Sequence, residues 1–164
     1  MNKITFMITF SFILLLASAC NRSASDGTNE GKSAEAVTTK ISLPEKLKAG
    51  GTMNLTMKIE NGTKNDYKFL KWNSPFENNF LGDYLNIVDE KGAKVEYRGP
   101  MAKRMWPPPA EAYDIVVPGK FAESTIDISQ AYPINLPGKY SVQYEGMNGA
   151  DSIPASNKFE FIVQ

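Results

Sequence analysis

Residues 52–60, "TMNLTMKIE", alternate without a break: Met53, Leu55, Met57 and Ile59 fall between Asn54, Thr56, Lys58 and Glu60. Successive side chains of a strand leave on opposite faces, so this spacing builds a strand with one buried and one wet face. The rhythm returns in "KYSVQYE", residues 139–145, with Tyr140, Val142 and Tyr144 inward. It returns again in "KFEFIV", residues 158–163, with Phe159, Phe161 and Val163 inward.

Runs at 37–43, 67–72, 84–89, 93–98, 112–117 and 121–128 read as further strands. Lys91-Gly92 sits where a hairpin joins two of them, and Pro118-Gly119 and Pro137-Gly138 are turns just ahead of strands. No stretch carries a helical stripe, and no segment repeats. Many short strands with frequent turns predict an all-β domain, an immunoglobulin-like antiparallel β-sandwich of about seven to nine strands. Tyr140, in Pro137-Gly138-Lys139-Tyr140, is placed for a tyrosine corner, which ties a hydroxyl to backbone a few residues upstream; an ordinary half-buried tyrosine is the alternative.

The N-terminus predicts where such a domain is displayed. Lys3 precedes the uncharged run "ITFMITFSFILLLASA", residues 4–19, and small residues lead to Cys20. A positive start, an apolar core and a small-residue end make a secretory signal peptide over residues 1–19. Cys20 directly after it resembles the lipobox of bacterial lipoproteins, although Ala17 stands where leucine is usual. That resemblance implies cleavage before Cys20, acylation of its thiol, and attachment to membrane through the lipid. Asn21 in place of an aspartate favours the outer membrane. Residues 20–36 are rich in Ser, Gly, Asn and Glu and lack large apolar side chains, which predicts a flexible tether. Residues 37–164 then form one domain.

The chain of 164 residues has 18 basic and 18 acidic side chains, so nothing marks a nucleic-acid or polyanion binder. It has no histidine and a single cysteine. That excludes Ser-His-Asp and Cys-His nucleophile systems, histidine metal sites and an internal disulfide. No phosphate-binding glycine loop is present, and Asp83, Asp89 and Glu90 lack the spacing of a calcium loop. The expectation is a protein that is not an enzyme and carries no metal or cofactor.

Two connections are long for so small a domain: residues 73–83, "NSPFENNFLGD", and roughly 99–111, "GPMAKRMWPPPAE". They hold Phe76, Phe80, Met101, Met105 and Trp106, beside Lys103 and Arg104. Lys103, Met105, Trp106, Phe76 and Phe80 are the candidates for partner binding, since Trp anchors and preordered loops favour recognition. Lys103 reads as solvent-exposed. For Arg104, pairing with Asp127 to brace the loop is the alternative to binding.

The segments "LKWNSPFE", "VEYRGPMAKRMWPP", "VVPGKFAESTIDISQAY" and "PGKYSVQY", taken in order, resemble the N-terminal β-sandwich propeptide region of deuterolysin-type (aspzincin) zinc metalloproteases. The positions that carry the likeness include Leu70, Trp72, Pro75, Tyr97, Gly99, Lys103, Arg104, Pro107, Asp127, Ser129, Tyr132 and Tyr140. Ser74 replaces the family's threonine, and the His-Glu-x-x-His zinc helix is absent from these residues, which stop at Gln164 where the family continues into its catalytic domain. The resemblance implies a free-standing binding module that inhibits or chaperones a protease in trans. The expected function is therefore a lipid-anchored, non-catalytic protein-binding module of the bacterial envelope. A structural, adhesion or glycan-binding module is the alternative, and the oligomeric state is left open.

Overall fold

A computed structural model describes residues 35–164. The signal-peptide reading, the lipidation of Cys20 and nearly all of the tether lie outside these residues.

Nine strands follow in order: β1 (Val37–Ser42), β2 (Lys46–Leu47), β3 (Asn54–Asn61), β4 (Tyr67–Leu70), β5 (Leu85–Asp89), β6 (Tyr113–Val116), β7 (Phe121–Asp127), β8 (Gly138–Tyr144) and β9 (Phe159–Val163). They form three sheets in the orders β1-β3-β7, β2-β9-β8-β5 and β4-β6. Every pairing is antiparallel except the two-residue contact of β2 with β9.

The alternation of residues 53–59 is realised in full. Met53, Leu55, Met57 and Ile59 are each completely buried, as are Ile87, Val142 and Phe69. Phe161, Val163 and Tyr144 join the same core from β8 and β9. The outward residues of β3 pair across the sheet instead: Thr56 shares a hydroxyl–hydroxyl bond of 2.8 Å with Thr125 on β7.

Two strand assignments differ from the sequence reading. Residues 93–98 begin as a partner of β5, with Asp89 N–H donating to Ala93 and Val95 N–H donating to Ile87. The chain then leaves the sheet, because Arg98 N–H donates to Ala131 at 2.7 Å and the Tyr97 ring packs 5.4 Å from Tyr132. The unforeseen strand is β2, whose two residues are too few to show any period. Its ladder extends through Gln164 N–H to Leu47 and Ile162 N–H to Glu45.

One pole of the sandwich is organised by Asn61, which is buried at the end of β3. Its amide nitrogen donates to Val116 at 2.7 Å and to Asn65 at 2.8 Å, while its amide oxygen accepts from the backbone N–H and hydroxyl of Thr63. Its backbone bonds Lys120 and Gly119 across the turn from β6 to β7. Val37, the first residue of β1, pairs with Asn61 and so lies at this pole. β6 runs towards it from the far end, where Tyr113 pairs with Leu70.

Replacing Asn61 by Ala strands the buried carbonyl of Val116, whereas that of Asn65, on an exposed residue, keeps the Thr63 hydroxyl at 3.0 Å. Asn61→Ala is expected to cost about 1–3 kcal/mol, the penalty of one buried unsatisfied group. Leu55→Ala is expected to cost about 2–5 kcal/mol through the cavity it leaves. Urea unfolding midpoints of the two variants check both values.

Candidate functional site

The two long connections lie at the pole opposite Asn61, and each fastens the other. The first opens with Lys71-Trp72-Asn73-Ser74 and turns through a short 3₁₀ segment, Pro75–Glu77. Ser74 caps it: its hydroxyl donates to Lys71 at 2.6 Å and accepts from Phe76 N–H at 3.3 Å. Pro75 suits the first position of such a turn because the missing N–H has no partner there anyway. Glu77 Oε2 reaches back to accept from Asn73 N–H at 3.1 Å. A serine cap answered three residues later by a glutamate is a helix-start signature, and here it fixes the glutamate's carboxylate.

The second oxygen of that carboxylate meets the other loop. Arg104 Nη2 lies 2.6 Å from Glu77 Oε1, and the guanidinium carbon stands 4.9 Å from the centre of the Trp72 ring. The buried Nη2 and Nε hydrogens point past any acceptor, so the pair is a charge contact rather than a directed hydrogen bond. Ala102 N–H adds a backbone bond of 2.9 Å to Leu81, and Lys71 N–H bonds Ala112 at the loop's far end. At the entry, the Tyr97 hydroxyl donates to Pro100 at 2.6 Å. The Tyr97 ring folds so closely over Gly99 that a Cβ there would stand 2.5 Å from the phenolic oxygen and push the ring from its place.

The structure distributes the candidate residues unevenly. Phe80 is not available to a partner: it is buried, stacked 5.3 Å from Tyr84 and edge-on to Tyr132 at 5.8 Å. Phe76 is half-buried with its edge against Phe69 at 5.0 Å. Phe80 is a core residue that happens to lie in a loop, and Phe76 packs against that core from its edge. The expected pairing of Arg104 with Asp127 does not form. Asp127 caps the 3₁₀ turn Ile128–Gln130, accepting at one oxygen from Met53 N–H at 2.8 Å and from the backbone and hydroxyl of Ser129. Trp72 is half-buried beneath Arg104.

Lys103 is exposed, and Met101, Met105 and Trp106 are 72%, 83% and 82% exposed. These four stand together at the tip of the braced loop. Elsewhere, the Tyr140 hydroxyl donates to the Leu136 carbonyl, four residues upstream, at 2.9 Å. That is the geometry of a tyrosine corner.

Sequence reasoning assigned no structural role to two residues that hold these loops, Glu77 and Tyr132. Glu77 was marked by the Ser-Pro-Phe-Glu pattern. Tyr132 carried no such mark; it is fully buried, donates its hydroxyl to Asp83 at 2.8 Å and accepts from Leu85 N–H, and burial pushes its phenol well up. Among the described residues no group of three or more acidic, histidine or cysteine side chains could hold a metal ion, and no helix is long and apolar enough to cross a membrane.

Burial alone would raise the Asp127 carboxyl, but the hydrogen bonds from Met53 and Ser129 outweigh it and hold the group below its ordinary value. A carboxyl depressed on folding stabilises the native state above its unfolded value of about 3.9, and that contribution is lost as pH falls through the folded value. The stability gap between the parent and Asp127→Asn is therefore expected to be full near neutrality and to close in acid. Urea titrations at neutral pH and near pH 3 read it. For the brace, Glu77→Ala leaves the Arg104 charge half-buried and uncompensated, an expected loss of about 1–3 kcal/mol. Faster tryptic cleavage after Lys103 than in the parent would report the loosened loop.

Comparison with known proteins follows the same lines. Residues 40–150, more than half of the chain, match the family model described as an immunoglobulin-like domain. No curated protein matches. Among solved structures, a mutant β-glucosidase from Listeria innocua in complex with laminaribiose is similar at 16% identity and a TM-score of 0.37. The alignment covers 79% of this chain and 16% of that one.

Proposed function

This chain belongs to the immunoglobulin-like domain family, and from that premise we propose that it is a non-catalytic protein-binding module whose partner engages the tip of the 99–111 loop. One observation carries the reading: Met101, Met105 and Trp106 are largely exposed on a loop whose stem is fastened at Tyr97, Ala102 and Arg104. Burying such side chains against a partner is worth about 1.5–3 kcal/mol each. A stem already held in place reduces the ordering entropy lost on docking, and tryptophan is among the residues enriched at interface hot spots.

A glycan platform is less well supported. The other strongly exposed aromatic, Phe121, begins β7 at the Asn61 pole and lies under the Lys58 ammonium at 4.2 Å, away from Trp106. In the same proposal Cys20 carries the lipid that anchors the domain to the bacterial envelope, with Asn21 directing it to the outer membrane. The ordered likeness to the propeptide region of deuterolysin-type metalloproteases supports a secreted metalloprotease as the partner, inhibited or chaperoned in trans.

A pull-down from envelope and secreted fractions of the source organism tests this, with the domain from residue 37 as bait. The parent is expected to recover a protease. A Lys103→Ala/Trp106→Ala variant with an unchanged melting temperature is expected to recover none. If both baits bring down the same proteins, the loop is a brace, and a structural, adhesion or glycan-binding role replaces the protein-binding one.

A further inference from the structure

Resting on that reading, we propose that residues 101–105 dock as an extended, strand-like ligand in a protein cleft that offers a carboxylate between two apolar subsites. Burial along the segment alternates strictly. Ala102 and Arg104 turn towards the domain, where Leu81, Glu77 and Trp72 hold them, while Met101, Lys103 and Met105 are exposed. A period of two belongs to extended backbone, so the three free side chains leave on one side at intervals of roughly 6.5–7 Å, twice the rise per residue.

The order of chemistry along this stripe is apolar, cationic, apolar. An ammonium taken out of water needs an opposite charge, and among the described residues Lys103 makes no ion pair of its own. Unbranched methionines fill irregular apolar subsites without demanding one shape. Trp106, exposed directly after Met105, ends the alternation and lies beyond the stripe. A membrane surface fits less well: one lysine contributes only about 1 kcal/mol towards an anionic leaflet. The loop also faces away from the pole at which the chain enters β1.

The test uses the full chain, expressed in cells of the source organism, with a diazirine-bearing amino acid placed singly at positions 101, 102, 105 and 115. Position 115 is an exposed off-loop control on β6, and the 102 variant is scored only if it keeps the parent's melting temperature. Adducts to one protein from 101 and 105, absent from 102 and 115 and mapping to either side of an acidic residue in one cleft, are the expected result. Adducts of equal yield from 101, 102 and 105 overturn the extended mode and leave the loop as a docking element. Adducts only to lipid replace the cleft by a membrane surface, and adducts from 115 alone, or from none of the four, overturn the docking role of the loop as well.

The central carboxylate is read separately, with the probe at 105. Lys103→Arg is expected to keep the adduct, and Lys103→Glu to lower its yield about tenfold or more, as reversing a paired interface charge does. Retention of the adduct by Lys103→Glu overturns the acidic subsite.

Discussion

The architecture depends on β3 being paired along both edges. β1 pairs with it from Thr56 to Asn61 and β7 from Asn54 to Glu60, and the four inward side chains of residues 53–59 are shut off from water. A slip of one residue would carry those four into solvent and bring Asn54, Thr56, Lys58 and Glu60 into the core. The register is thereby set by burial, and the two poles follow from it. At one pole Asn61 arrives opposite Val37 and beneath the turn from β6 to β7. At the other, Met53 presents its N–H to Asp127.

The long loops add a second constraint of a different kind. A single carboxylate spans them, one Glu77 oxygen closing its own turn and the other facing Arg104. Half-buried charge pairs contribute little net stability against an apolar substitute, yet removing one member leaves the other uncompensated. Such a pair acts chiefly as a registration device. It dictates which residues of the 99–111 loop turn inward, and so which remain outside. The exposed apolar tip and the charged stem are two sides of one arrangement.

What could be read from the sequence was what period and local pattern encode. The alternation of residues 53–59 and 140–144 specified strands, inward faces and an all-β sandwich. Residues 93–98 alternate locally too, but the contacts that draw them away come from Ala131 and Tyr132, more than thirty residues on. Phe76 and Phe80 lie in a loop, which by pattern alone reads as a surface, whereas Phe69 half-covers the one and Tyr84 with Tyr132 buries the other. Several carboxylates could have answered Arg104. Asp127 followed by Ser129 already carried the mark of a turn cap, and Ser74 with Glu77 that of a fixed carboxylate, so the correct pairing was partly legible in motifs weighed singly.

The opposed poles have a mechanical consequence. The chain enters β1 beside Asn61, and the exposed loop stands at the far end. A tension applied between the two would pull β1 along its own axis against β3. Inter-strand hydrogen bonds of an antiparallel ladder lie across that axis, so the six registered positions from Val37–Asn61 to Ser42–Thr56 would be sheared together rather than unzipped one by one. A domain arranged in this way resists being drawn apart by whatever holds its two ends.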